Sequence, residues 1–156
     1  MVPVAAPAFS TVLLATDLSP ASDAATERAI ELAAQLGARL LVVNAIDAGR
    51  GLLLRPLSRN RPVEEREERS EAAQRVVESA RAAGARATFL IWDGEPADAI
   101  LAAAEAEHAD LIVVGTHGRG ALGRILGSVS DDVLHRSSVP VLIARSEDAS
   151  REAGSS

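Results

Sequence analysis

The stretch Leu111–Ser130, LIVVGTHGRGALGRILGSVS, joins a short apolar run to a glycine-rich segment and then to the start of a helical pattern. LIVV is apolar at every position, as a strand is when both faces of its sheet are covered. Five glycines fall within the thirteen residues from Gly115 to Gly127, a density that suits neither a helix nor a strand interior. It suits a loop that turns sharply and lets the backbone approach a ligand with no Cβ in the way. Gly115 and Gly118 would open that loop at the carboxyl end of the strand. Gly127, Ser128 and Val129 would present amides at a helix start, where the macrodipole places about half a positive charge. The hydroxyls of Ser128 and Ser130 can donate to phosphate oxygens. The same residues also read as a plain glycine-rich connection with Ser128 as an N-cap, and spacing alone leaves both open.

Working outward, the chain alternates short apolar runs with helical periods. Thr11–Ala15, Leu40–Ala45, Ala87–Trp92 and Val139–Ala144 are further strand candidates beside Leu111–Val114. A helix entered at Ser19-Pro20 and stopped at Gly37 would bury Ala25, Ala29, Leu32, Ala33 and Leu36. A second helix spans Val63–Ala83 between Pro62 and Gly84, and its Glu64–Arg69 charges read as a solvated, pair-laced face. A third runs from about Pro96 to Ala109, and a fourth from Ser128 to Arg136. Strands alternating with helices call for right-handed crossovers and an α/β fold: an open five-stranded parallel sheet with helices on both faces, Rossmann-like. Ligands of such sheets gather beyond the carboxyl ends of the strands, where the strand order reverses. The connection from Ala48 to Arg61 reads as a surface loop, either unassigned or covering a ligand with its four arginines. Residues 1–146 make one domain, and the polar, small residues 147–156 read as a disordered tail.

Composition narrows the chemistry. Apolar residues make up 47% but aromatics only 2%, so the core is built from Ala, Val, Leu and Ile. A formal net charge of −6 argues against a nucleic-acid surface. All 16 basic residues are arginine, which excludes a P-loop lysine, a Schiff-base lysine and a lysine general base. The absence of cysteine excludes thiol catalysis, disulfides and thiolate metal sites. Met1–Phe9 has no basic stretch followed by a long apolar one, and no apolar run approaches the ~18 residues of a membrane span. The expected location is the cytoplasm. His108, His117 and His135 are isolated, with no carboxylate at ligand spacing, so no metal site is expected. His117 is either a phosphate neighbour or simply exposed. Arg119 and Arg124 either reach the distal phosphates or solvate the loop.

GTHG, RGALGRIL and GSVS, leading into VLHRSSVPVLIAR, resemble the nucleotide-binding signature of the universal stress protein family, G-x2-G-x9-G-[ST]. The opening TVLLATDLSPASDAATERAIELAAQLGARLLVVNAID and the later GEPADAILAAAEAEHADLIVVGTHG are similar to the family as well, so the likeness runs from Ser10 to Arg145. The resemblance implies the adenine nucleotide alpha hydrolase-like fold and a stress-response module that binds ATP, with Mg2+ held mainly by the phosphates. It places Ala15, Thr16, Asp17 and Ala45 at the adenine end. Gly115, Thr116, His117, Gly118, Arg119, Gly127, Ser128, Val129 and Ser130 fall on ribose and phosphate. Asp17 has a second reading, as a cap shared with Ser19 for the following helix. The resemblance also implies a homodimer through the last strand, Val139–Ala144, which would cover an apolar sheet edge. Three departures stand out: eight residues rather than nine separate Gly118 from Gly127, and Ala15 and Ala45 replace proline and valine. The shorter interval keeps a second reading alive, a dimeric stress protein that holds no ATP. A slow ATP hydrolase ranks last because no residue is placed to orient water, so the chain is expected not to be an enzyme.

Overall fold

Five strands pair in parallel in the order β3-β2-β1-β4-β5. They are β1 (Thr11–Ala15), β2 (Arg39–Ile46), β3 (Arg86–Asp93), β4 (Leu111–Gly115) and β5 (Val141–Ala144). The helices between them are α1 (Asp23–Leu36), α2 (Arg61–Ala82), α3 (Pro96–Ala106) and α4 (Ser128–Arg136). This computed structural model describes residues 9–46, 61–116 and 126–145. The expected loop through residues 48–60, the loop residues His117, Gly118, Arg119 and Arg124, and the tail 147–156 lie outside the described residues.

Period-two alternation along the strands divides the core into two layers. Val12, Leu14, Leu40, Val42, Leu111 and Val113 face α1 and α2, where Ala25, Ala29, Ala33, Val77 and Ala80 meet them. Leu13, Leu41, Val43, Ile112 and Val114 face the other way, onto Ala97, Ile100 and Ala103 of α3 and Val133 of α4. The small helix residues let four helices lie close on a sheet of large aliphatic side chains. Leu36, expected in the buried face of α1, is instead 39% exposed: it lies in the last turn, past the edge of the sheet contact. Among the described residues no helix is long and apolar enough to cross a membrane.

Three helices end on the same local device. Ala38 donates its amide to the Ala33 carbonyl (3.0 Å), Ala85 to Ala80 (3.0 Å) and Ala109 to Ala104 (2.9 Å). Each bond spans a residue in the left-handed region: Gly37 (φ 65°), Gly84 (φ 94°) and His108 (φ 53°). This motif satisfies the last carbonyls and aims the chain back into the next strand. His108 takes the place that glycine holds in the other two, which is why α3 stops at Ala106 rather than near Ala109. Ser19-Pro20 does not open α1 directly either. A 3-10 turn, Pro20–Ser22, comes first, closed by the Ser22 amide on the Ser19 carbonyl at 2.9 Å.

At the amino edge of the sheet, the Asp110 carboxylate accepts from the Thr11 amide (2.9 Å) and from the amide and hydroxyl of Ser10 (2.7 and 3.0 Å). The backbone donors of Thr11 and then Ser10 hold its carboxyl below the usual aspartate value. Lowering the folded-state value gives stability that is complete above the unfolded value and lost as pH falls through the folded one. Asp110→Ala is therefore expected to cost about 1 kcal/mol at pH 7. The difference in thermal midpoint from wild type should shrink in melts run progressively below about pH 4.

Candidate functional site

The strand order reverses between β1 and β4, and ligands of open parallel sheets gather beyond the carboxyl ends at such a point. β1 delivers Thr16 and Asp17 to that point, and β4 delivers Gly115 and Thr116. Ala15 and Ala45 both lie on the α3–α4 face by alternation with Leu13 and Val43, at the carboxyl ends of adjacent strands. Both are half-buried.

The Thr16–Ser22 turn is tightly organised. Thr16 Oγ1 accepts the Leu18 amide at 2.9 Å, and Leu18 sits in the left-handed region at φ 62°. Asp17 Oδ1 accepts from the Ser19 amide (2.9 Å), the Ser19 hydroxyl (2.5 Å) and the Ser22 hydroxyl (2.5 Å). Those contacts draw Ser19 and Ser22 together and produce the 3-10 turn ahead of α1. Asp17 thus performs the turn-forming role that its sequence position allows. A non-glycine residue at positive φ costs about 1–2 kcal/mol, which the three bonds to Asp17 offset.

On the β4 side, the two ends of the glycine-rich segment are pinned together. The Gly127 amide donates to the Thr116 carbonyl at 2.8 Å, and the Thr116 amide donates to the Ala144 carbonyl at 3.2 Å. Ser130 Oγ donates to the Gly115 carbonyl at 2.7 Å, docking the first turn of α4 against the end of β4. Two of the expected phosphate donors are therefore engaged in structure: the Gly127 amide and the Ser130 hydroxyl proton. Gly127 is the N-cap of α4, with φ −57° and ψ 150°, and no side chain caps the helix. Ser128 is its first helical residue rather than the cap. The Asp131 amide is the first to bond back into the helix, to Gly127 at 2.9 Å. The amides of Ser128, Val129 and Ser130 precede it and have no intrahelical acceptor. Ser128 is exposed and Val129 half-buried, while Ser130 is 9% exposed.

The start of α4 supplies the amides of Ser128, Val129 and Ser130 and the Ser128 hydroxyl, on the sheet face where Ala15 and Ala45 also lie. Amides at a helix start suit an anionic oxygen. Among the described residues no group of three His, Asp or Glu side chains could hold a metal ion. Two further side chains support the Thr16–Asp17 turn. Asn44, wholly buried, donates Nδ2 to the Thr16 carbonyl at 2.9 Å, and Arg69 Nη1 donates to Asn44 Oδ1 at 3.1 Å.

The fold is an open parallel α/β domain whose strand order reverses between β1 and β4. Residues 8–145 match the model of the universal stress protein family, and the chain belongs to that family. A universal stress protein of Thermus aquaticus is 41% identical over 140 residues, covering 88% of this chain and 99% of the relative. Among solved structures, a universal stress protein in complex with cAMP is 33% identical, with a TM-score of 0.67 over 88% of this chain and 97% of that one. UspA from Lactobacillus plantarum superimposes with a TM-score of 0.75 at 22% identity, covering 88% and 98%, and shares the fold.

Proposed function

We propose that this chain is a stress-response regulatory module that binds an adenine nucleotide, ATP in the first instance, in the crevice between β1 and β4. The observation that carries the proposal is the start of α4, whose Ser128–Ser130 amides have no acceptor within the helix and stand beside the end of β4. A relative of 33% identity described in complex with cAMP supports the adenine nucleotide class. Adenine lies against Ala15 and Ala45, with the Thr16–Asp17 turn at its polar edge. Phosphate oxygens accept from the Ser128, Val129 and Ser130 amides and the Ser128 hydroxyl, with Gly115 and Thr116 beside them; ribose and phosphate contacts from His117, Gly118 and Arg119 belong to the same proposal. Mg2+ would be held mainly by the phosphates. Hydrogen bonds to a charged oxygen contribute about 1.5–3 kcal/mol each, so three or four support micromolar affinity without a lysine.

The short interval between Gly118 and Gly127 favours a second reading, a dimeric stress protein that holds no ATP. The 2.8 Å bond from Gly127 to Thr116 counts for the first, because the base of the loop closes despite the missing residue. A homodimer through the last strand, expected over Val139–Ala144 and formed by Val141–Ala144, fits either reading. β5 is an edge of the sheet, with half-buried side chains along its length. The deciding experiment purifies the full chain, denatures it and chromatographs the supernatant. Adenine nucleotide in near-stoichiometric amount is expected, from a preparation eluting at dimer mass. No nucleotide released, together with no binding at millimolar ATP, would leave the second reading standing.

A further inference from the structure

Asn44 lies on β2 one residue before Ala45, and by alternation with Val42 it faces α1 and α2 rather than the nucleotide side. Its carboxamide is wholly buried and has both ends committed. Nδ2 reaches the Thr16 carbonyl at 2.9 Å, just where ladder pairing between β1 and β2 ends at Ala15 and Val43. Oδ1 accepts Arg69 Nη1 from α2 at 3.1 Å. A carbonyl on one side and a guanidinium on the other fix the amide's orientation, since only an amide nitrogen serves the first and only its oxygen the second.

The helix that supplies Arg69 is held unevenly. Ala73, Val77 and Ala80 are buried in the core, but no side chain from Val63 to Ala72 is buried. Polar contacts tie that first half of α2 to the carboxyl edge of the sheet. Arg66 Nη1 meets both carboxylate oxygens of Asp93, at 3.2 and 3.1 Å, and Arg69 meets Asn44. The Arg66–Asp93 pair is half-exposed on both sides and so contributes little. The contact to Asn44 is partly buried and leads straight to the Thr16–Asp17 turn. A segment with few buried apolar contacts opens at low free energy, which suits an element that responds to a nearby ligand.

We propose that Asn44 and Arg69 are positioning residues for the nucleotide site: the buried carboxamide transmits the docking of the first turns of α2 to the Thr16–Asp17 turn. Coupling between two sites is reciprocal, so nucleotide in the crevice tightens the same turns of α2. The device rests on the proposed nucleotide site but needs none of its phosphate donors. It gives the protein a surface whose order depends on occupancy.

The test uses full-length Arg69→Met, on a half-buried helix surface where folding is retained, with Arg69→Lys as the conservative control. ATP affinity is measured by calorimetry, and amide exchange is followed with and without ATP. Arg69→Met should weaken ATP binding about five- to tenfold, in the usual range for such coupling. ATP should slow exchange of the 64–70 amides in wild type and fail to do so in Arg69→Met, while Arg69→Lys recovers part of both effects. In nucleotide-free protein, Arg69→Met should also speed exchange of the Leu18 and Ser19 amides, a readout independent of ATP. Unchanged exchange at those two amides would overturn the relay, as would wild-type affinity and wild-type protection of α2 in Arg69→Met. Faster exchange there with no ATP binding by wild type would instead uphold the relay as structure and remove the nucleotide site it was inferred to serve.

Discussion

Ser128→Pro is expected to leave the fold intact and to weaken ATP binding at least tenfold. Ser128 is the first residue of α4, the position where proline is best tolerated, because its amide has no intrahelical acceptor to lose. Gly127 already has φ −57° and ψ 150°, an extended conformation that the residue before proline accepts. The substitution therefore removes a single amide proton and a single hydroxyl from the cradle without disturbing the helix behind them. Losing one hydrogen bond to a charged oxygen is worth about 1.5–3 kcal/mol, a factor of about 10 to 150. Thermal melts of the nucleotide-free variant should match or exceed those of wild type. A variant that melts normally and binds ATP as wild type does would show that the start of α4 is not the phosphate site.

Leu13→Ala acts on the opposite property. Leu13 is fully buried in β1, the strand that pairs with both β2 and β4, and its side chain packs in the α3–α4 layer beneath the candidate site. Removing three buried carbons leaves a cavity that close-packed neighbours cannot fill, at a cost of about 2–5 kcal/mol. For a domain of this size that lowers the thermal midpoint by roughly 5–20 °C. Urea unfolding should move to a lower midpoint with unchanged slope. A shift of only a degree or two would mean that the aliphatic layer is less tightly packed than its zero exposure implies.

Most of the architecture was legible because its signals are local. The apolar runs located all five strands to within two residues, and Gly37 and Gly84 marked helix ends that do use positive φ. His108 hid the same device under a side chain that carries no such signal, so α3 read too long. Leu36 satisfied helical spacing and still emerged into solvent, since periodicity gives the direction of a side chain but not where the sheet beneath it stops. The ends of the glycine-rich segment were legible as a strand end at Gly115 and a helix start at Ser128. The bonding between those ends was not: the Gly127 amide and the Ser130 hydroxyl are spent on Thr116 and Gly115, and only three-dimensional closure reveals that. The polar contacts of Asn44 with Thr16 and Arg69, and of Asp110 with Ser10 and Thr11, join residues 25 to 100 positions apart. No periodicity within one element encodes such pairs, and they are where sequence reasoning ended.

Calorimetric titration of nucleotide-free protein with ATP in the presence of Mg2+ tests the central claim most directly, with AMP and cAMP titrated alongside. The predicted result is saturable binding of one ATP per chain with micromolar affinity, strongly reduced in Ser128→Pro. No saturable heat with any of the three nucleotides at millimolar concentration, from protein that is folded and free of bound ligand, would contradict it.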